Sequence, residues 1–96
     1  MVTLSDVQKR IGPEKTTIFS RYRIRRLGVF GSCARGDNRE GSDVDLLVEF
    51  ERPAGIEFID LAEELERCIG AKVDLVSAGG IKPAYFKAIE KDLVYV

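Results

Sequence analysis

Three aspartates carry most of the chemistry available to this sequence. Asp43 and Asp45 flank Val44 in the run Asp43-Val44-Asp45-Leu46-Leu47-Val48-Glu49-Phe50, and Asp74 sits inside Lys72-Val73-Asp74-Leu75-Val76. Strands disfavour Asp, yet both runs read as strands. Side chains alternate along an extended chain, which puts Asp43 and Asp45 on one face with Cα atoms about 6–7 Å apart. In the second run Val73 and Leu75 face a core, so Asp74 points the other way. It joins the Asp pair if the two strands lie close in one sheet. Two carboxylates about 5 Å apart repel by about 3 kcal/mol at an effective dielectric near 20. A third adds to this unless a cation or a proton relieves it. Hard divalent cations such as Mg²⁺ take oxygen ligands and commonly bridge carboxylates to substrate phosphates. Clustered acids without His suit magnesium and make a poor zinc site.

Gly31-Ser32 complements the acids. A strand that ends in Gly-Ser and runs into a short helical turn exposes backbone N–H groups to an anion, and the Ser hydroxyl adds a donor. Arg35 and Arg39 stand nearby and supply positive charge. A phosphate grip beside a magnesium-binding acid cluster is what metal-assisted phosphoryl or nucleotidyl transfer requires. Each part alone is ordinary: a lone Gly-Ser is usually a turn, and an Asp-x-Asp is often a solvated face. Their conjunction on one predicted face is what points to a site. Other motifs fail. Gly31 to Gly36 has the glycine spacing of a P-loop, but Asp37 stands where its Lys is needed. No GxGxxG occurs, and Asp37 to Asp45 does not follow EF-hand positions.

Composition narrows the classes further. The 96 residues are 45% hydrophobic and 32% charged, as expected of one folded domain rather than a disordered tail or a disulfide scaffold. Histidine is absent, which excludes Ser-His, Cys-His and His-ligated zinc chemistry within the chain. Cys33 and Cys68 have no CxxC spacing and fit a reducing, cytoplasmic setting. Cys33 lacks a base and is a poor nucleophile. Fifteen basic against sixteen acidic residues give a net charge of −1, so direct nucleic-acid binding is not expected. The run Arg21, Arg23, Arg25, Arg26 reads as a solvated edge. No apolar run approaches the ~20 residues of a membrane span, and the start does not resemble a signal peptide.

The elements that must position these groups follow from periodicity. Leu4, Val7 and Ile11 mark a first helix with Thr3 or Ser5 as N-cap, and Pro13 opens a second towards Tyr22. Ile24 to Gly31 is a strand. Val44, Leu46, Val48 and Phe50 form the buried face of the next one. Pro53 lies near a helix start, after which Phe58, Leu61, Ala62, Leu65, Cys68 and Ile69 form an apolar stripe closed by Gly70. A strand at Lys72–Val76 follows. Gly79-Gly80 breaks the chain, Pro83 opens a last helix to about Lys91, and Leu93–Val96 is a terminal strand. The order predicts an α/β (α+β) fold, a small mixed sheet with helices packed on one face.

Gly31-Ser32-Cys33-Ala34-Arg35-Gly36 followed by Ser42-Asp43-Val44-Asp45-Leu46 resembles the GSxARG…SDxDL signature of the minimal nucleotidyltransferases, in the DNA polymerase beta-like nucleotidyltransferase superfamily. The Gly-Ser to Asp spacing agrees, and Asp74 falls where that family has its third acid. The likeness runs from about Leu27 to the end of the chain, so residues 1–96 read as a single minimal nucleotidyltransferase domain. Asn38 stands where many relatives carry a small Ala. The resemblance implies two Mg²⁺ ions holding an NTP triphosphate, with Asp43, Asp45 and Asp74 as metal ligands and Asp74 also activating an acceptor hydroxyl. It makes Gly31 and Ser32 the phosphate grip, with Arg35 and Ser42 at nucleotide-binding motif positions. It further implies transfer of NMP, from ATP or another NTP, with release of pyrophosphate. Family members of this size resemble antitoxins paired with a HEPN-domain protein, some of which transfer AMP onto a Tyr of that partner. A non-catalytic NTP-binding or masking module would keep the same residues and remains the alternative.

Overall fold

The computed structural model describes residues 1–53, 55 and 57–96. Thr3 caps α1 (Leu4–Ile11): its hydroxyl accepts from the Asp6 N–H while the Asp6 carboxylate accepts from the Thr3 N–H. A single 3₁₀ turn at Gly12–Glu14, with Pro13 in its first positions, leads into α2 (Lys15–Tyr22). There follow β1 (Ile24–Phe30), the short α3 (Gly31–Arg35), β2 (Val44–Phe50), α4 (Glu57–Ile69) and β3 (Val73–Ser77). A 3₁₀ turn at Ala78–Gly80, α5 (Pro83–Glu90) and β4 (Val94–Tyr95) complete the order. This is the succession expected from periodicity. Gly70 ends α4 in the left-handed region at φ +75°, its N–H returning to the Glu66 carbonyl at 2.8 Å. Pro53 lies just ahead of α4; Ala54 and Ile56, between them, fall outside the described residues.

The strands form one mixed sheet in the order β3-β2-β1-β4. β1 runs antiparallel to both β2 and β4, and β2 runs parallel to β3. A parallel neighbour needs a crossover, which α4 supplies. Register sets the two faces. Leu27 opposite Val48 and Val29 opposite Leu46 point into the main core, whereas Gly28 opposite Leu47 and Phe30 opposite Asp45 lie on the reverse. A bulge between Ile24 and Arg26 inserts Arg25, so Ile24 and Leu27 both face the core although they are three apart.

The main core joins Val7, Ile11 and Ile18 to the inner face of the sheet and to Leu61, Leu65 and Ile69 of α4. Phe58, Ala62 and Cys68, the rest of the predicted α4 stripe, are only partly buried. The expectation of helices on one face holds for α1, α2 and α4. α5 departs from it: Ile89 packs with Phe30 and Leu47 on the reverse face, bordered by Val76, Phe86 and Leu93. The reason is physical, since Phe30, Leu47 and Val76 would otherwise present a continuous apolar strip to water. Asp45 and Asp74 continue this second face towards the N-terminal ends of β2 and β3.

Candidate active site

The pairing of β2 with β3 puts Asp45 directly beside Asp74 on neighbouring parallel strands, which lie about 4.8 Å apart. The predicted convergence of the second and third acids is therefore built into the sheet register. Asp43 differs from expectation. β2 begins at Val44, whose N–H donates to the Lys72 carbonyl at 2.8 Å, and Asp43 is exposed in the approach to the strand. The ladder starts one residue later because the turn before it consumes Ser42: its N–H donates to the Arg39 carbonyl and its hydroxyl accepts from the Arg39 N–H, each at 3.0 Å. Ser42 thus holds the loop that delivers Asp43.

The phosphate-loop candidate meets the acids directly. Phe30, the last residue of β1, is the register partner of Asp45, and the chain turns into α3 at the next residue. Gly31 adopts φ +71°, and a Cβ there would collide with Asp45 Oδ2. Only glycine allows both the backbone conformation and this approach. No side chain caps the first turn of α3, which leaves its backbone N–H groups free for an anion.

Electrostatics separate Asp45 from ordinary carboxylates. Burial pushes its carboxyl above the usual range, and the neighbouring Asp74 and Asp43 push it the same way; only Arg35 opposes them. Asp43 and Asp74 are thus both within electrostatic reach of Asp45. Asp43 and Asp74 are exposed, and among the described residues no three Asp, Glu, Cys or His side chains converge closely enough to hold a metal by themselves. Mutual repulsion favours that separation. The donor set is all oxygen, and a divalent cation is the partner that relieves a desolvated carboxylate between two others, so the residues present fit Mg²⁺.

Arg35 is engaged. It donates through Nε to Asp37 at 3.1 Å and through Nη1 to Asp92 at 2.8 Å. Asn38 spans a different gap, donating to the Val2 carbonyl at 2.7 Å and tying the loop after α3 to the N-terminal segment. Asp92 and Asn38 were not singled out as site residues from sequence. Both contacts join distant segments, and neither residue carries a local signal. The Cys33 thiol is buried and pushed up by that burial and then by Asp45, which suits packing rather than nucleophilic attack. Cys68 is partly buried and donates to the Arg10 carbonyl at 3.1 Å. The arginine run behaves as a solvated edge: Arg21 pairs with Glu64, while Arg25 and Arg26 pair with Glu49.

A cleft of about 730 Å³ lies at the other end of the sheet, between Phe50, Pro53 and Phe58 on one side and Ser77, Gly79 and Gly80 on the other. The acids sit at the N-terminal ends of β2 and β3, and this cleft lies at their C-terminal ends. The Glu49 carboxylate that borders it is already neutralised by arginines. At the acid end, by contrast, negative charge opposed only by Arg35 lies beside an uncapped helical turn, a pairing that phosphate chemistry can use.

Known proteins share this sequence and this fold. The model of the nucleotidyltransferase domain matches residues 15–96. The protein adenylyltransferase MntA of Thermococcus cleftensis is 40% identical over 97 residues, spanning 100% of this chain and 98% of its own. A solved structure provisionally described as a minimal nucleotidyltransferase superposes with a TM-score of 0.76 at 33% identity, covering 93% of this chain and 94% of that one. An MNT antitoxin, solved in complex with a tri-AMPylated HEPN toxin from Shewanella oneidensis, shares the fold at a TM-score of 0.67 and 16% identity, over 93% of this chain and 70% of the other. No helix among the described residues is long and apolar enough to cross a membrane. With Asp45 and Asp74 in register, the Gly31 turn against Asp45 and its sequence matched over most of its length, the chain belongs to the nucleotidyltransferase domain family, in the minimal, polymerase beta-like branch, and is a nucleotidyltransferase.

Proposed function

We propose that this chain transfers AMP from ATP onto a hydroxyl of a partner protein, and that the partner is a HEPN-domain toxin for which it serves as antitoxin. One observation carries the reading: Asp45 and Asp74 are in register on adjacent strands, with the Gly31 turn packed directly on Asp45. The adenylyl group and the protein acceptor are supported by the name of the Thermococcus relative, and the HEPN partner by the complex that shares the fold. In this reading residues 1–96 act as one domain in the cytoplasm, and the acceptor surface comes from the partner.

Gly31 and Ser32 hold the triphosphate through backbone N–H groups and the Ser hydroxyl, and Arg35 adds directed donors. Ser42 fixes the loop that carries Asp43. Asp43, Asp45 and Asp74 would hold Mg²⁺, two ions by analogy with the family, and bound Mg²⁺ neutralises charge on the phosphates. The acceptor oxygen attacks the α-phosphorus, the bond to the β-phosphate bridging oxygen breaks, and pyrophosphate leaves. The hydroxyl proton passes to the Asp74 carboxylate, whose exposure lets it reach both the acceptor and water.

A second reading, neutralisation of the partner by binding alone, draws on the failure of the three acids to converge unaided. Incubation with α-labelled ATP, Mg²⁺ and a lysate of the native host separates the two. Transfer predicts a labelled protein band that disappears with the Asp43→Asn, Asp45→Asn double variant. Absence of label with all four NTPs, while a partner co-purifies equally with wild type and variant, would establish masking instead.

A further inference from the structure

Arg35 is held from two sides by carboxylates of unequal standing. Asp37 lies two residues on in an exposed loop, with its side chain 61% accessible. Asp92 lies 57 residues on and is only 25% accessible. Its setting is also firmer. Asp92 lies two residues past the end of α5, and its N–H donates to the Ile89 carbonyl at 3.1 Å. Ile89 before it and Leu93 after it both pack against the Phe30 and Leu47 cluster. Phe30 immediately precedes Gly31. The carboxylate that grips Arg35 is therefore referenced to the same strand end that fixes the glycine turn.

A guanidinium has five N–H donors in a rigid fork. Asp37 occupies the Nε donor and Asp92 one donor on Nη1, which leaves three. Arg35 lies one helical turn from Gly31 in α3, about 6 Å along the axis. One cation between two carboxylates has no surplus positive charge, so its service to a phosphate is directional rather than a matter of bulk attraction. Resting on the nucleotidyltransferase reading above, we propose that Asp92 is a positioning residue for the nucleotide, acting through Arg35 to aim the remaining guanidinium donors at a triphosphate held by the Gly31–Ser32 turn. Without Asp92 the arginine keeps only its exposed loop partner and regains rotamer freedom that binding must then remove.

ATP affinity of the full chain in Mg²⁺, measured by titration calorimetry, tests this alongside thermal unfolding. Asp92→Ala is expected to weaken ATP about 5–10-fold, and Arg35→Lys, which cannot fork between two carboxylates, to do the same. Asp92→Asn keeps an acceptor oxygen and is expected to restore most of the affinity, because position rather than charge is what Asp92 supplies. In an Arg35→Ala background, Asp92→Ala should cost less than about 2-fold more. Equal losses in both backgrounds, unchanged affinity in Asp92→Ala, or an Asp92→Asn variant as weak as Asp92→Ala would each overturn the proposal. Should Asp92→Ala fail to fold, Asp92→Glu carries the test: it keeps the charge but displaces the carboxylate by a methylene, so it is expected to weaken ATP, and unchanged affinity there would overturn the proposal. A wild-type chain that binds no NTP would remove the nucleotidyltransferase reading itself, and with it this role. The Arg35–Asp92 contact would then show only as a drop in unfolding temperature.

Discussion

β2 carries two acids on one face, four residues apart, and the fold treats them in opposite ways. Glu49 is met by Arg25 at 3.3 Å and Arg26 at 2.7 Å, and the Arg26 hydrogen bond holds its carboxyl below the usual range. Asp45 is met by Asp74 and Asp43, and burial followed by those two charges drives its carboxyl upward. The first arrangement stabilises the protein by itself. The second costs stability until further positive charge arrives, the pattern of a perturbed carboxylate on which the proposed function rests. The same strand thus ends in a solvated ionic clasp at one end and a cluster of acids opposed only by Arg35 at the other.

The largest expected effect breaks the comparison through catalysis. Asp45→Asn should lower transfer of labelled AMP by at least about 10³-fold, whereas Glu49→Gln should leave it within about 2-fold of wild type. Comparable losses in both variants would show that the two ends of β2 do not differ in role. Next comes Gly31→Ala, which forces a Cβ into left-handed backbone and against Asp45. It should destabilise by about 1–3 kcal/mol in urea unfolding and reduce transfer about 10–100-fold, since the turn or the carboxylate must move.

Two smaller effects have opposite signs. A depressed folded-state value means that Glu49 stabilises above the ordinary carboxylate range and loses that contribution as pH falls through its lowered value. Glu49→Gln should therefore cost about 0.5–1 kcal/mol at neutral pH, with the gap to wild type closing on acidification. For Asp45 the folded-state value is raised, so its ionisation penalises the native state. That penalty is absent at acidic pH and complete once pH exceeds the raised value. Asp45→Asn should consequently stabilise the nucleotide-free protein at neutral pH, by up to about 0.5 kcal/mol, and the gain should vanish towards acidic pH. Chemical denaturation of both variants at two pH values checks the pair of signs; matching slopes would erase the distinction.

Much of this was legible in the sequence because period-two patterning is strong where it matters. Val44, Leu46 and Val48 alternate with Asp45 and Leu47, and Val73 and Leu75 bracket Asp74, so the face of both acids follows from apolar residues beside them. The Gly31-Ser32 turn was legible for the same reason, at the end of an apolar strand. Asp43 was placed on the strand because alternation continues on paper past the point where the Arg39–Ser42 turn takes over the backbone. The side of the sheet that α5 covers was not legible. Phe86, Ile89 and Leu93 show that this segment packs without showing against what. Nor was the bulge, since Arg25 and Arg26 offer no apolar residue to register a change of phase. Asp92 lay beyond local reasoning altogether, its partner being 57 residues away.

That bulge also bears on how the family can vary in length. Arg25 lets the chain before it and the chain after it be out of phase by one residue. Additions or losses on the Ile24 side can be absorbed there as a shift of one exposed arginine. Between Leu27 and Phe30 nothing similar exists. A single residue gained or lost there would turn Phe30 into the main core and deliver Gly31 to the wrong side of the sheet. Evolution is free to edit the entry to β1, but its last four residues form a fixed-length ruler whose end mark is the glycine turn.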